Sequence, residues 1–203
     1  MRREIRGTMV LGLGLLAGWS SLAQAALPIT GPVVSPVNGH SYYLLSQSNW
    51  IDAEAAAVVL GGHLATSRNA VENSWIAQTF ENFSGVRRQL WIGLNDQAIE
   101  GTFVWASGEP VTFTNWMSGE PSDFADDGTG EDFVHIGNFV GWQPYDFWND
   151  NRSRIDQVLN DNSGLIMPFN GVAEVVPEPG VFTSLLGAIA LVGSRRARRR
   201  RPS

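Results

Sequence analysis

The sequence predicts an α+β domain in which two helices are followed by short strands and a long loop region. Three observations predict this class: two segments carry helix signals, short apolar segments begin at Leu90, and Gly, Pro, Asp and Asn dominate between Phe113 and Glu174. A loop region of about 60 residues usually carries the function of a domain. The 203 residues suffice for one domain of ordinary size once segments outside the fold are removed.

Each helical segment has a capping signal at one of its ends. Residues 49–60 are rich in alanine and are followed by two glycines, which predicts a helix that ends at a glycine cap. Asn69 and Glu72 have the spacing of a capping box, which predicts a second helix that ends near Phe80.

The strand signals are short apolar segments separated by polar turns, and we expect them to form short antiparallel sheets. No internal repeat is visible. The predicted strands are residues 41–45, 90–94, 102–105, 133–136 and 171–176.

The first 25 residues have the features of a secretion signal. A basic start is followed by an apolar run over residues 9–19 and by Ala23-Gln24-Ala25, which suits signal-peptidase cleavage. The run is shorter than the roughly 20 residues of a membrane span. We therefore expect export and a mature chain that starts at Ala26. Residues 26–36 contain three prolines and are predicted to be a linker, so that the domain itself spans 37–176.

The last segment, residues 177–203, combines Pro177-Glu178-Pro179, a short apolar stretch and six arginines. One interpretation is a tail anchor whose arginines stay on the cytoplasmic side. The same order resembles the PEP-CTERM sorting signal of exported bacterial proteins. That resemblance implies cleavage by an exosortase-type membrane protease, transient membrane association, and a final location at the cell surface or in the extracellular matrix.

The charge of the part between the two signals is strongly negative. Residues 26–176 contain five arginines, no lysine and 18 acidic residues, which is a formal charge of −13. Such a surface repels nucleic acid and attracts cations. Cysteine is absent, so that no disulfide, thiolate nucleophile or cysteine zinc site can form even in an oxidising compartment.

Acidic and amide side chains cluster in the loop-rich half of the chain. Calcium takes roughly six to eight oxygen ligands from carboxylates and carbonyls on such loops. Acidic loops are also typical of plain solvated surface, so composition alone does not decide between the two. The clusters are Asp96 and Glu100; Glu120, Asp123, Asp126, Asp127, Glu131 and Asp132; and Asp146, Asn149 and Asp150.

A series of short motifs runs through residues 37–176 in a specific order. It includes Trp91-Ile92-Gly93-Leu94, Gly119-Glu120-Pro121, Gly130-Glu131-Asp132 and Trp148-Asn149-Asp150. Together with the two helices, this series resembles the C-type lectin-like domain family. The resemblance implies the C-type lectin-like fold with a long calcium-binding loop region and, in this chain, without disulfides.

The resemblance also implies two calcium sites. The family's sugar-binding calcium site falls on Glu120, Ser122, Glu131, Asn149 and Asp150, which we call the primary site. A second calcium site falls on Asp96, Glu100, Asp123, Glu131 and Asp132, which we call the auxiliary site. Pro121 would be the family's cis-proline.

The function implied by the resemblance is calcium-dependent binding of a glycan or polysaccharide by an exported bacterial surface or matrix protein. Two sugar hydroxyls would replace water on calcium and would hydrogen-bond the side chains that hold it. Such bonds contribute roughly 1.5–3 kcal/mol each, so a single site would bind weakly and would need multivalency.

The chain departs from the family at five positions. Ser122 replaces an asparagine, which leaves the choice of sugar open and leaves an alternative function, a scaffold for protein contacts or matrix structure. The family's four disulfide cysteines fall on Ala57, Phe133, Ser153 and Ala173.

Other site classes have weaker signals. The three histidines, His40, His63 and His135, lack zinc-site spacing. The carboxylates of Glu120 and Glu131 would suit a glycosidase. Calcium accounts for both, so we expect no enzyme.

The tryptophans divide into two groups. Trp91, Trp105 and Trp148 are predicted to lie in the core, and Trp116 and Trp142 are the candidates for exposed sugar-stacking rings.

Overall fold

The computed structural model describes residues 26–124, 130–137, 146–153, 159–160 and 166–177. The predicted secretion signal and, apart from Pro177, the predicted sorting signal lie outside the described residues. Asp126, Asp127 and Trp142 lie outside them as well.

Both predicted helices are confirmed, with their asparagine caps. Helix α1 spans Trp50–Val59 and helix α2 spans Ala70–Phe80. The Asn49 side chain accepts a hydrogen bond from the Asp52 backbone N–H, and Asn69 accepts one from Glu72, so each cap satisfies a backbone donor of the first turn. Within the described residues, no helix is long and apolar enough to cross a membrane.

The described residues contain ten strands in addition to these helices. Six of them form one sheet in the order β1-β2-β10-β4-β6-β7, while β3 joins it by pairing with β10 and β5 by pairing with β4. The pairs between these strands are antiparallel as expected, apart from the parallel β10–β4 pair, and β8 pairs with β9 in a second small sheet. The strands are β1 (Pro28–Val34), β2 (Ser41–Gln47), β3 (His63–Leu64), β4 (Gln89–Asn95), β5 (Val104–Trp105), β6 (Phe133–Ile136), β7 (Trp148–Asn151), β8 (Leu159–Asn160), β9 (Ile166–Met167) and β10 (Phe169–Val175).

The segment expected to be a linker forms strand β1 instead. Pro28–Val34 pairs antiparallel with β2, with two register shifts. Its prolines suggested a linker because proline cannot donate a hydrogen bond within a sheet. An edge strand tolerates proline, since the missing donor can face away from the neighbouring strand. Residues 28–34 are therefore part of the domain, and Ala26, which precedes them, is buried.

The sheet carries a separate core on each face. Successive residues of a strand point to opposite faces. Leu44, Ile92 and Val172 therefore pack with α2 in one cluster. The residues that follow or precede them, such as Leu45 and Ala173, pack with α1 in the other cluster. Trp91, Trp105 and Trp148 are all buried, as predicted.

Three of the four positions that match cysteines in the family lie in the α1 cluster. Ala57, Phe133 and Ala173 are buried there, and the Phe133 ring lies 4.7 Å from the Trp50 ring between centroids. The fourth position, Ser153, accepts a hydrogen bond from the Ile51 N–H at 3.3 Å. Apolar packing and one hydrogen bond thus occupy the places where bridges would otherwise contribute about 2–4 kcal/mol each.

A charge network around Arg68 connects α2 to strand β10. The Arg68 guanidinium donates to Glu72 at 2.7 Å, to Glu174 at 2.9 Å, and through two nitrogens to Glu109. Glu72 and Glu174 are almost fully buried, and Glu109 is exposed. His40 also contacts Glu174. Arg68 is therefore the main cation that compensates two carboxylates inside the fold.

We expect Arg68→Met to lower the free energy of unfolding by about 3–5 kcal/mol, because it leaves buried carboxylates without a cation. Urea denaturation monitored by tryptophan fluorescence measures this loss. Glu109→Gln, which removes the exposed partner, should change it by only about 0–1 kcal/mol. Equal effects of the two variants would contradict this assignment.

Candidate functional site

The side chains of the primary site come from three segments that meet at one end of the sheet. These segments are the turn at 119–124, the residues that lead into β6, and β7. Strand β7 pairs with β6, which places Asp150 opposite Val134. The sequence of β7 did not predict a strand, because Asn and Asp have low strand propensity; its pairing with β6 and its burial determine the conformation.

Asp150 joins β7 to the turn. Its carboxylate, in a residue only 1% exposed, accepts hydrogen bonds from the backbone N–H of Ser122 at 3.2 Å and of Asp123 at 3.0 Å. Asp123 in turn accepts one from the Glu131 N–H at 2.9 Å. The Glu120–Pro121 peptide bond is cis, as the family resemblance implies.

Carboxylates of the primary site lie close enough together to affect each other's pKa values. Burial raises the pKa of Glu131 to about 7, and the neighbouring Asp150 and Glu120 carboxylates add to the effect while Arg152 opposes it. Burial also raises the pKa of Glu120, and a hydrogen bond and charge repulsion from Asp150 raise it further, although Ser122 opposes them. Negative charge is therefore costly here in the absence of a counterion.

The auxiliary site is built around Asp96, which is 2% exposed. One oxygen of its carboxylate accepts from the Gly101 N–H at 2.8 Å, and its backbone N–H donates to the Asp132 carbonyl at 3.1 Å. Burial raises the pKa of Asp96 to about 6; the Gly101 bond opposes this rise, and Glu100 and Asp132 reinforce it. Burial, and then Asp123, also raise the pKa of Asp132.

Three carboxylates of the auxiliary site converge on Gly130. A Cβ atom at this glycine would lie 2.9 Å from Asp123 Oδ1 and 3.8 Å from both Asp132 Oδ1 and Glu100 Oε2. The glycine also has φ of +80°, which disfavours any residue with a side chain. Acids that are up to about 30 positions apart in the sequence thus each place one oxygen within 4 Å of the space that this glycine leaves open.

Among the described residues, three buried oxygens of the two sites lack a hydrogen-bond partner: Asp96 Oδ1, Glu120 Oε2 and Asn149 Oδ1. Each belongs to a residue that the sequence assigned to a calcium site. A buried acceptor without a partner costs about 1–3 kcal/mol, and carboxylate and amide oxygens are the donors that calcium prefers. The donor chemistry therefore fits calcium. Across the described ranges, however, no three Asp, Glu or His side chains are already arranged to hold a metal ion.

Asp146 is separate from this site, although the sequence places it in the same cluster as Asn149. Its backbone carbonyl accepts from Asn73 at 2.6 Å and from Asn115 at 2.7 Å, and its carboxylate accepts from Ser74. These contacts with α2 and the 115 turn give Asp146 a structural role.

Among the described residues, the most exposed aromatic side chain near the site is Phe124 and not Trp116, a ring that was expected to stack on sugar. Trp116 is partly buried and packs on Phe103 and Trp148, with ring centroids 4.9 Å and 5.7 Å away. Its ring is therefore less accessible to a sugar than an exposed ring would be. Phe124 is 72% exposed and directly follows Asp123. The sequence analysis missed Phe124; an aromatic residue among acidic loop residues is the signal that indicates it.

Each of the three histidines contacts a different set of residues. His40 contacts Glu174, His63 contacts Glu54, and His135 packs edge-on against the stacked rings of Trp91 and Phe169. Burial lowers the pKa of His135 to about 3, which keeps it neutral.

Comparison with known proteins gives the same fold and the same family. The family model described as "Lectin C-type domain" matches residues 46–154. The chain belongs to the C-type lectin domain family. The solved structure of the C-type lectin CEL-I from Cucumaria echinata superposes with a TM-score of 0.56 at 21% identity, over 75% of this chain and 99% of that one.

Two relatives have names that state a lectin identity. The alpha-N-acetylgalactosamine-specific lectin of Patiria pectinifera is 38% identical over 147 residues, which are 67% of this chain and 84% of that protein. Lectin BRA-3 of Megabalanus rosa is 40% identical over 82 residues, which are 39% of this chain and 48% of that protein. The match therefore spans about half of the length of BRA-3.

Proposed function

We propose that this chain is a calcium-dependent carbohydrate-binding domain of an exported bacterial surface or matrix protein. The observation that carries the proposal is the coincidence of the predicted ligand positions with buried oxygens that lack partners: Asp96 Oδ1, Glu120 Oε2 and Asn149 Oδ1. Membership of the C-type lectin domain family, and relatives named as lectins, support carbohydrate binding.

Glu120, Glu131, Asn149 and Asp150 would hold a calcium ion in the primary site, with Ser122 at its edge. Asp96, Glu100, Asp123, Glu131 and Asp132 would hold one in the auxiliary site. When bound, calcium supplies positive charge and coordination positions that two neighbouring sugar hydroxyls can occupy in place of water. We assign these carboxylates to binding, and not to acid–base catalysis.

The side chains of the primary site would orient the sugar. The carboxylate of Glu120 accepts hydrogen bonds from hydroxyls, and the amide of Asn149 can both accept and donate. Ser122 brings only a hydroxyl to the place of the family's asparagine, so its contribution to the sugar is smaller. An exposed Phe124 beside this site offers an apolar face against which the C–H groups of a sugar ring can pack.

Calcium should raise the melting temperature of a fragment that spans residues 26–177, because it binds the folded state and relieves the repulsion at Glu131.

We expect Glu131→Gln to weaken calcium binding about tenfold or more, about 1.4 kcal/mol, because Glu131 belongs to both sites. Ser122→Ala should change it by less than about twofold. Isothermal titration calorimetry in the millimolar range measures both values.

Equal, negligible effects of the two substitutions would count against the assignment of Glu131. A melting temperature that millimolar calcium leaves unchanged in the unsubstituted fragment would remove calcium from the proposal altogether.

Phe124→Ala should reduce retention on glycans about fivefold or more, roughly 1 kcal/mol, while calcium affinity stays constant, because the ring contacts sugar and not metal. A glycan array probed with and without a chelator gives the retention, and calorimetry gives the calcium affinity. Val111→Ala, at an exposed apolar residue elsewhere on the surface, is the control. Retention that is unaffected by Phe124→Ala would refute a stacking role.

A second candidate function is a scaffold for protein contacts or matrix structure. Two observations favour it: Ser122 replaces the family's asparagine, and the described side chains do not form a ready metal group. No retention on any glycan, with calcium present, would favour this alternative over sugar binding.

We further propose that residues 1–25 direct export and that residues 177–203 act as a PEP-CTERM sorting signal read by an exosortase-type protease. Transient membrane association through the C-terminal segment would precede display at the surface or in the matrix. Burial of Ala26 and the hydrogen bond from the Leu27 N–H to Ser46 Oγ at 3.0 Å support a mature chain whose fold starts at this point.

The exported protein should begin at Ala26, and intact-mass and N-terminal peptide analysis of protein from the cell surface measure this directly. Ala23→Leu together with Ala25→Leu should block cleavage and retain the longer chain, because signal peptidase requires small residues before the cut. A surface protein that still carries Met1 to Ala25 would contradict the export assignment.

A further inference from the structure

Asn73 on helix α2 is a buried amide that bonds to both sides of the start of β7. It is fully buried. Its Oδ1 accepts a hydrogen bond from the indole N–H of Trp148 at 2.6 Å, and its Nδ2 donates to the backbone carbonyl of Asp146 at 2.6 Å. One side chain thus bonds to both residues that flank Phe147, with Asn115 and Ser74 as further partners of Asp146.

Trp148 is held on its other sides as well. Its ring packs edge-on against Trp105, Phe113 and Trp116, with centroids 5.5–5.8 Å away. Its backbone N–H donates to the Asn115 carbonyl at 2.8 Å. The apolar contacts hold the indole in the core, whereas Asn73 is the partner of its one polar atom.

The residues that follow Trp148 directly are Asn149 and Asp150 of the primary site. In a strand, two residues advance the chain by about 6.6 Å and side chains two apart point to the same face, so Trp148 and Asp150 are close neighbours on one face of β7. Asp150 in turn holds the N–H groups of Ser122 and Asp123. A continuous series of bonds therefore connects α2 to the turn that carries Glu120.

We propose that Asn73 is a positioning residue of the primary site, acting through Trp148 and Asp146 on Asn149, Asp150 and the 120–123 turn. The inference rests on the proposed function for its ligand. The positional coupling itself is a property of the protein without any ligand. Residues that orient the ligands of a metal site typically change its affinity by about 10- to 100-fold when they are removed.

The test uses the exported chain or the 26–177 fragment, carrying Asn73→Ala, and two measurements. Without divalent ions, amide hydrogen exchange at Ser122 and Asp123 should lose protection, because Asp150 no longer stays in place to accept their hydrogen bonds. With calcium, calorimetry should show affinity reduced about tenfold or more.

Asn170→Ala is the matched control, because it makes the same substitution at an equally buried asparagine away from the site. The Asn170 amide donates to the Leu45 carbonyl at 2.7 Å, between β10 and β2. Both variants should lose stability, since each removes a buried hydrogen bond. Only Asn73→Ala should alter exchange at Ser122 and Asp123, and a general loss of stability would affect both variants alike.

Trp148→Phe tests the same interaction from its other partner. It keeps an aromatic ring and removes the indole N–H that donates a hydrogen bond to Asn73. It should produce the same loss of protection at Ser122 and Asp123, and the double variant should add little to Asn73→Ala alone, as expected for two residues of one interaction. If Asn73→Ala does not fold, Trp148→Phe decides the question.

Unchanged protection at Ser122 and Asp123 in a folded Asn73→Ala or Trp148→Phe variant would overturn the positioning role. So would the same loss of protection in Asn170→Ala. Failure of the unsubstituted protein to bind calcium would refute the proposed function instead, and the ligand-free exchange measurement would still decide the role of Asn73.

Discussion

The interaction on which the site depends is the pair of hydrogen bonds that the buried Asp150 carboxylate accepts from Ser122 and Asp123. These bonds attach a turn without regular structure to a strand of the main sheet. Through Asp123 the same connection reaches Glu131, which donates its N–H to the Asp123 carboxylate. Hydrogen bonds therefore anchor the turn to the strand, although the turn itself contains no strand or helix.

The electrostatics of the region oppose this close arrangement. Glu120, Glu131, Asp96 and Asp132 all have raised pKa values, with burial as the first cause and neighbouring carboxylates among the others. Folding thus brings like charges together and partly removes them from water, which is unfavourable unless a cation or protons compensate. Elsewhere in the fold, the charges of two buried carboxylates, Glu72 and Glu174, are compensated by the guanidinium of Arg68. The proposed calcium would perform that role in the loop region.

Because the chain has no cysteine, no disulfide contributes to its stability, and apolar packing takes that place. At the positions that match the family's cysteines, Ala57, Phe133 and Ala173 contribute to one apolar cluster on the α1 face of the sheet. Small alanines allow the helix and the strand to approach closely, and Phe133 fills the space beside Trp50. On the α2 face, polar contacts of Asn73 with Trp148 and Asp146 connect the helix to the strand that carries Asn149 and Asp150.

Local signals in the sequence, namely caps, glycines and apolar patterns, were enough to predict the two helices and the core tryptophans. Three features became visible only in the folded structure: the proline-rich residues 28–34 form an edge strand, polar β7 is a strand, and Asp146 is separate from the site. These outcomes depend on hydrogen bonds and burial supplied by residues far away in the chain, such as Asn73 for Asp146. The convergence of Glu100, Asp123 and Asp132 on Gly130 has the same origin, since no local pattern specifies a distance between loops.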